Sequence, residues 1–286
     1  MFNKRHIVRT IAATVSILAL SFTAACGSGQ STASNSTDSD DITQQTYKPG
    51  KLTIATGQPA YEPWVMNDKP ESGEGYEAAV AYAVADKLGF KKSDVVWTRT
   101  AFDTAIAPGA KDWDFNIQQF GITDERKKAV DFSSSYYNDS QSVVVKKDSK
   151  FANATKVSDL KDATVGVMVG TLAYDYAKAN IKDDIQTFND DAALAQALDA
   201  GQIDALVTST VECVYMVQSE QVKDAKVLGR LPDSEDKSGM GIVLPKDSKL
   251  TAAVTKAVDD LNADGTIKKL QDKWLAEYTT DLTELK

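Results

Sequence analysis

Hydrophobic positions along residues 51–286 follow two alternating periods, one of two residues and one of between three and four. LTIATG (52–57) and TVGVMVG (164–170) read as apolar strands that stop at a glycine, Gly57 and Gly170. Residues 75–88 change to helical spacing, with Ala79, Val80, Ala83, Val84 and Leu88 on one side and Gly89 as a stop. Residues 174–179 and 192–198 take the helical parts in the second half, and residues 95–98 and 185–188 read as the strands that come after the first helices. Each half is therefore strand, helix, strand, helix, strand, the pattern of a parallel sheet covered by helices.

The two halves echo each other. Residues 104–119, TAIAPGAKDWDFNIQQ, and residues 193–209, ALAQALDAGQIDALVTS, both run apolar helix, glycine, aspartate, apolar strand, polar end. Asp114 and Asp204 hold matching places and read as strand-entry residues. Between the halves lies SVVVKK (142–147), a β-branched run with no turn residue, and GMGIVL (239–244) returns before Pro245. Two extended crossings of this kind predict a hinge. The expected division is residues 49–141 plus 244–286 for one lobe and 142–243 for the other, with the tail from 250 to 275 packing on the first lobe as helices.

The segment 114–137, DFNIQQFGITDERKKAVDFSSSYY, concentrates the candidate chemistry. Alternation through Phe120 predicts a strand, Gly121 breaks it, and Thr123 with Asp124 and Glu125 predicts the start of a helix. Arg126 then lies near the carboxyl end of a strand and the start of a helix, where open α/β sheets bind small ligands, and its fork suits a carboxylate or phosphate. On its residues alone, the same arginine also reads as a surface charge in a lysine-rich turn.

The first 25 residues change the picture of location. Lys4, Arg5 and Arg9 precede the apolar run 11–25, which is too short and too rich in small residues for a membrane span. The run ends Thr23-Ala24-Ala25-Cys26-Gly27, similar to a bacterial lipoprotein signal, in which cleavage before the cysteine leaves it acylated; Thr23 stands where leucine is usual. An ordinary secretory peptide is the alternative, and both place the protein outside the cytoplasm. Residues 26–48 then read as a lipidated flexible tether, since GSGQSTASNSTDSDDITQQ (27–45) holds too little apolar surface to fold.

Without residues 1–25 the chain carries 29 basic against 41 acidic side chains, a formal −12, which argues against nucleic acid as a partner. The one histidine, His6, falls in the signal, so histidine-based triads and histidine metal sites are excluded from the rest. With Cys26 acylated, Cys213 has no partner and reads as a small buried hydrophobe. No phosphate-binding glycine loop occurs, and no cofactor or metal is implied.

Taken together, PAYEPW (59–64), GYEAAVAYAVADKLG (75–89), FDTAI (102–106), ITDERKKAVDFSSSYY (122–137), VGVMVGTL (165–172), GQIDALV (201–207), GMGIVLPK (239–246) and LNADGTIKKLQDKW (261–274) resemble the solute-binding proteins of polar amino-acid ABC importers, bacterial family 3. The resemblance implies a two-lobed periplasmic-binding-protein-like α/β fold, each lobe a mainly parallel sheet flanked by helices, joined by two hinge strands. It implies no catalysis, a single-chain protein outside the cytoplasm, a small carboxylate ligand captured by hinge closure, and delivery to the transmembrane subunits of an ABC permease.

The resemblance also assigns residues. Arg126 takes the position that grips the ligand α-carboxylate, assisted by backbone N–H groups at Gly121 and Leu172, with Thr171 beside it; the family often has hydroxyl residues where Gly121 and Leu172 stand. Tyr61 and Phe102 match an aromatic pair around the ligand, and Trp64 reads as wall or core. Gln118 and Gln119 replace small residues of the cleft floor, and strand alternation would send them to opposite faces. Ser209 stands where the family usually has the aspartate that accepts the ligand ammonium. Glu212 reads either as its substitute or as a solvated helix residue. Two other classes fit the same fold: a small lyase or dehydratase relying on Glu62, Glu212 or an aspartate, and a ligand sensor or adaptor.

Overall fold

A computed structural model describes residues 41–279 and 282–286. The expected signal, the expected acylation position Cys26 and most of the expected tether lie outside the described residues, and no described helix is long and apolar enough to cross a membrane.

Two five-stranded mixed sheets share one plan. The first contains β1 (Leu52–Thr56), β2 (Val95–Arg99), β3 (Phe115–Asn116), β4 (Val130–Tyr137) and β10 (Met240–Pro245), ordered β2-β1-β3-β10-β4. The second contains β5 (Gln141–Lys146), β6 (Val165–Met168), β7 (Gln186–Phe188), β8 (Ala205–Ser209) and β9 (Ala225–Arg230), ordered β7-β6-β8-β5-β9. Three strands pair in parallel in each, and the fourth in order, β10 or β5, runs antiparallel to both neighbours. That reversed strand is the one that arrives from the other lobe.

The internal echo is repeated at the level of hydrogen bonds. Asp114 accepts from the Thr53 amide at 2.7 Å and returns its own N–H to Thr53 O at 2.8 Å. Asp204 does the same with Thr164, at 2.8 Å in each direction. Each aspartate thus locks the entry of its strand against the first strand of its half, a structural task that leaves it away from the cleft.

The helices cover these sheets. In α1 (Tyr76–Lys87) the buried side is Tyr76, Glu77, Val80, Ala81, Val84 and Ala85, so it includes one acid. The helices α6 (Thr251–Ala263) and α7 (Thr266–Trp274) pack on α1 through Val254, Val258, Leu261 and Ile267. In the second lobe α3 (Leu172–Asn180), α4 (Asp191–Asp199) and α5 (Thr210–Gln218) play this part, and Cys213 is fully buried within it. The short helix α2 (Phe102–Ile106) comes after β2.

The chain departs from expectation in three places. SVVVKK and GMGIVL belong to sheet strands, β5 and β10, and are not free crossings; the connections are residues 138–140 and 231–239. Val143, Val144 and Val145 are all fully buried, so their unbroken apolar run records a strand covered on both faces. The division expected at 243/244 consequently falls inside β10. The chain end also returns to the second lobe, where Leu285 is buried and Glu284 bridges to Arg230. Finally, the helix expected after Thr123 is a single 3-10 turn, Arg126–Lys128, because Val130 already begins buried strand β4.

Candidate functional site

The carboxyl ends of β1, β3, β6 and β8 converge on a cavity of about 250 Å³ between the lobes. All nine residues singled out from the sequence line it: Tyr61, Phe102, Gln118, Gln119, Gly121 and Arg126 from the first lobe, Thr171, Leu172 and Ser209 from the second.

Arg126 enters through its single turn, whose start is held by Thr123 Oγ1 accepting the Arg126 amide at 3.1 Å. Its Nη1 donates to Gly121 O at 2.7 Å and its Nη2 to Gly170 O at 2.9 Å, so one guanidinium touches both lobes. The group lies 5.5 Å from the centre of the Phe102 ring, which stacks on Phe120 with centroids 4.5 Å apart. Burial presses the arginine pKa downward, while Asp175 and Asp236 oppose that shift.

Opposite it, α3 begins. Thr171 caps the helix by accepting the Tyr174 amide at 3.2 Å, and its hydroxyl donates to Met168 O at 2.8 Å. The N–H groups of Leu172 and Ala173, in the first turn, have no intrahelical acceptor and belong to residues that line the cavity. Guanidinium and helix start thus line the same corner of the cavity, an arrangement chemically suited to an anion. Gly121 has no side chain for a packing reason: a Cβ there would lie 2.5 Å from Leu172 Cδ1 and 2.8 Å from Asp236 Oδ2. Leucine from one lobe thus fills the space that glycine leaves in the other.

The glutamines separate, though not by strand alternation, because β3 ends at Asn116. Gln119 adopts φ 49°, its amide donates to Glu77 Oε1 at 2.7 Å, and its side chain also bonds Glu77. Gln118 keeps a buried Oε1 without a partner. Tyr61 Oη accepts the Ala192 amide across the cleft at 3.4 Å, and burial raises its pKa. Trp64 is core, 1% exposed, and it also donates from Nε1 to Glu212 Oε2 at 3.2 Å.

Ser209 is the N-cap of α5, accepting the Glu212 amide at 3.3 Å. Glu212 is not a solvated helix residue: it is 3% exposed, and its Oε1 has no partner. The sequence reading passed over the acids around it. Asp191, at the start of α4, lines the cavity with one oxygen 3.4 Å from Thr208 Oγ1, and Asp139 is buried in the 138–140 connection. A signal for part of this was present, since Asn189-Asp190-Asp191 before an apolar helix is a cap pattern, and Asp190 does cap α4 through the Ala193 amide at 2.8 Å. Among the described residues no cluster suited to a metal ion occurs.

The model of the bacterial extracellular solute-binding proteins, family 3, matches residues 52–277. The chain belongs to that family. It is 29% identical over 245 residues to an L-arginine-binding protein of Pseudomonas aeruginosa, covering 80% of this chain and 88% of the relative. To the L-cystine-binding protein TcyJ of Escherichia coli K12 it is 30% identical over 223 residues, covering 77% and 81%. Among solved structures, an ancestral arginine-binding protein bound to arginine superposes with a TM-score of 0.67 at 31% identity, covering 79% of this chain and 98% of the other.

For this family 3 protein the cleft has an uneven charge. One cation, Arg126, faces five carboxylates: Asp139, Asp190, Asp191, Glu212 and Asp236. Burial raises Asp139 to about 6 against hydrogen bonds from the Ser140 and Val211 amides, and burial likewise raises Asp191 to about 6. Glu212 is pushed well above its ordinary value, first by burial and then by Asp191. The lobes also meet through Tyr215, whose hydroxyl donates to Glu62 at 3.2 Å.

Proposed function

We propose that this solute-binding protein captures an amino acid by closing its two lobes on it and releases it unchanged to the transmembrane subunits of an ABC permease. The observation that carries the reading is the Arg126 guanidinium, fixed to carbonyls of both lobes and facing the start of α3. That corner accepts a carboxylate in two directions at once. A ligand held there touches both lobes and so favours closure over opening. Relatives named for L-arginine and L-cystine support an amino acid over other carboxylates. In this reading Tyr61 and Phe102 wall the ligand, Gln118 offers it an amide, and the Leu172 amide assists Arg126. Cys26 carries a lipid that holds a monomeric binding body at the outer face of the membrane.

A thermal-shift screen with the twenty amino acids and with dicarboxylates tests the proposal. At a hundredfold excess over Kd, binding adds about 2.7 kcal/mol to the folded state. For a body of this size that is a rise of roughly 5–10 °C. No shift with any amino acid overturns the reading.

A further inference from the structure

Glu212 combines three properties that a structural carboxylate does not need. It is almost fully buried, one oxygen is bound by Trp64 from the opposite lobe, and the other oxygen has no partner and belongs to a residue lining the cavity. A buried acceptor left unmatched is costly, so a group that completes it is strongly favoured. The S-T-V-E sequence at 209–212 has the spacing of a reciprocal helix cap, yet the Glu212 carboxylate is directed to Trp64 and the cavity. Asp191 reaches the same cavity from the start of α4 with only a 3.4 Å contact from Thr208. Of the other acids, Asp139 is engaged by the Ser140 and Val211 amides and Asp190 by the Ala193 amide, while Asp236, held on one oxygen by Ser238 and Gly239 and unpartnered on the other, lies on the Arg126 side of the cavity and feels its charge.

We propose that Glu212 and Asp191 form an anionic subsite of the second lobe that receives an organic cation of the ligand, an ammonium or a guanidinium, in place of the carboxylate missing at Ser209. This rests on the amino-acid reading above and extends it to a ligand class. Arg126 neutralises one carboxylate, and the pair presents two negative charges. Counted over Arg126 and this pair alone, a ligand of net charge +1, a diamino or guanidino acid, leaves no net charge, whereas a neutral zwitterion leaves one carboxylate without a counterion; Asp139, Asp190 and Asp236 add to the preference for a cation. Burial and mutual repulsion keep at least one proton on the pair when no cation is near, with Asp139 and Glu77 adding to the repulsion at Glu212. An entering cation stabilises both ionised forms, so binding releases a proton.

Glu212→Gln is the informative variant, because the amide oxygen still accepts from Trp64 while the charge is lost. Titration calorimetry of wild type, Glu212→Gln and Asp191→Asn uses three probes: L-arginine, its neutral isostere L-citrulline, and 5-guanidinopentanoate, which lacks the α-ammonium. Wild type is expected to bind L-arginine at least tenfold more tightly than L-citrulline. Repeating the arginine titration in buffers of different ionisation heat is expected to show proton release near pH 6.5 that Glu212→Gln reduces. Glu212→Gln is expected to weaken L-arginine by about tenfold to a hundredfold. A matching loss for L-citrulline assigns the α-ammonium to the pair, and a matching loss for 5-guanidinopentanoate assigns the side-chain cation. Wild-type binding of L-arginine with unchanged affinity and unchanged proton release in both variants overturns the subsite and leaves the amino-acid reading intact. Absence of wild-type binding to any amino acid overturns both.

Discussion

Replacing Arg126 removes the group on which the proposed ligand chemistry turns, and the structure sets the size of the effect. A guanidinium has five N–H donors. One goes to Gly121 O and one to Gly170 O, leaving three for a ligand, enough for a two-bond grip on a carboxylate. Each charge-assisted bond contributes about 1.5–3 kcal/mol, so Arg126→Ala should cost about 3–6 kcal/mol of binding, a factor of roughly 10² to 10⁴ in Kd. Arg126→Lys keeps the charge but can make only part of the fork and loses one of the two carbonyl contacts. Its expected loss is about half as large in free energy, roughly tenfold to a hundredfold. The unliganded protein should change little, because the lost carbonyl bonds are offset by no longer burying the cation. Calorimetric titration with the amino acid that gives the largest thermal shift, alongside melting curves without ligand, separates the two effects. A Kd within threefold of wild type for Arg126→Ala, or equal affinities for the arginine and lysine forms, would refute the carboxylate-grip reasoning.

Three further outcomes are expected. Burial raises Glu77 to about 7 despite bonds from Gln119 and Tyr136, so its contribution to stability is present below about 4.5 and is lost as pH rises through about 7. At most that is about 3 kcal/mol, and Glu77→Gln should flatten this part of the melting-temperature profile between pH 4.5 and 7.5; an unchanged slope counts against the burial argument. Gly121→Ser should weaken ligand binding by crowding Leu172 and Asp236, and Leu172→Ser added to it should recover at least half of the lost binding energy, read as a double-mutant cycle; strict additivity would show that the two positions do not compensate. Cys26→Ser should move the protein from the membrane fraction to the soluble fraction on cell fractionation, and continued membrane retention would speak for an anchor other than a lipid on that residue.

Periodicity was legible where an element answers to its own residues. The paired halves could be read because each repeats the same local order of helix, glycine, aspartate and strand, and the Thr53–Asp114 and Thr164–Asp204 exchanges are the physical content of that repetition. That Arg126 would reach the cleft was legible for a related reason, its place between a strand end and a turn. The helix drawn after Thr123 failed because a cap and two acids specify only a beginning. From Val130 onward the chain is claimed by pairing with β10, more than a hundred residues later. Alternation failed at Gln118 and Gln119 for the same kind of reason: β3 holds only two paired residues, and beyond them Glu77 of α1 dictates the left-handed turn at Gln119.

The choice that sequence left open at Glu212, substitute acid or solvated helix residue, shows where local pattern must end. Its position in the first turn of a helix, three places after a serine, describes a surface capping box in most chains. Its neighbours Val211, Cys213, Val214 and Met216 mark an apolar, buried helix, but they do not tell where the carboxylate goes. That comes from Trp64, 148 residues earlier and in the other lobe, whose indole covers one carboxylate oxygen and leaves the second to the cavity. A cleft between lobes is assembled from residues that have no reason to be read together, so its charge balance is a property of closure. Under the proposed subsite, a serine at position 209 does not by itself remove the anionic partner of a ligand cation. It moves the question one helical turn along α5, to a carboxylate whose bonded oxygen is covered from the other lobe by Trp64.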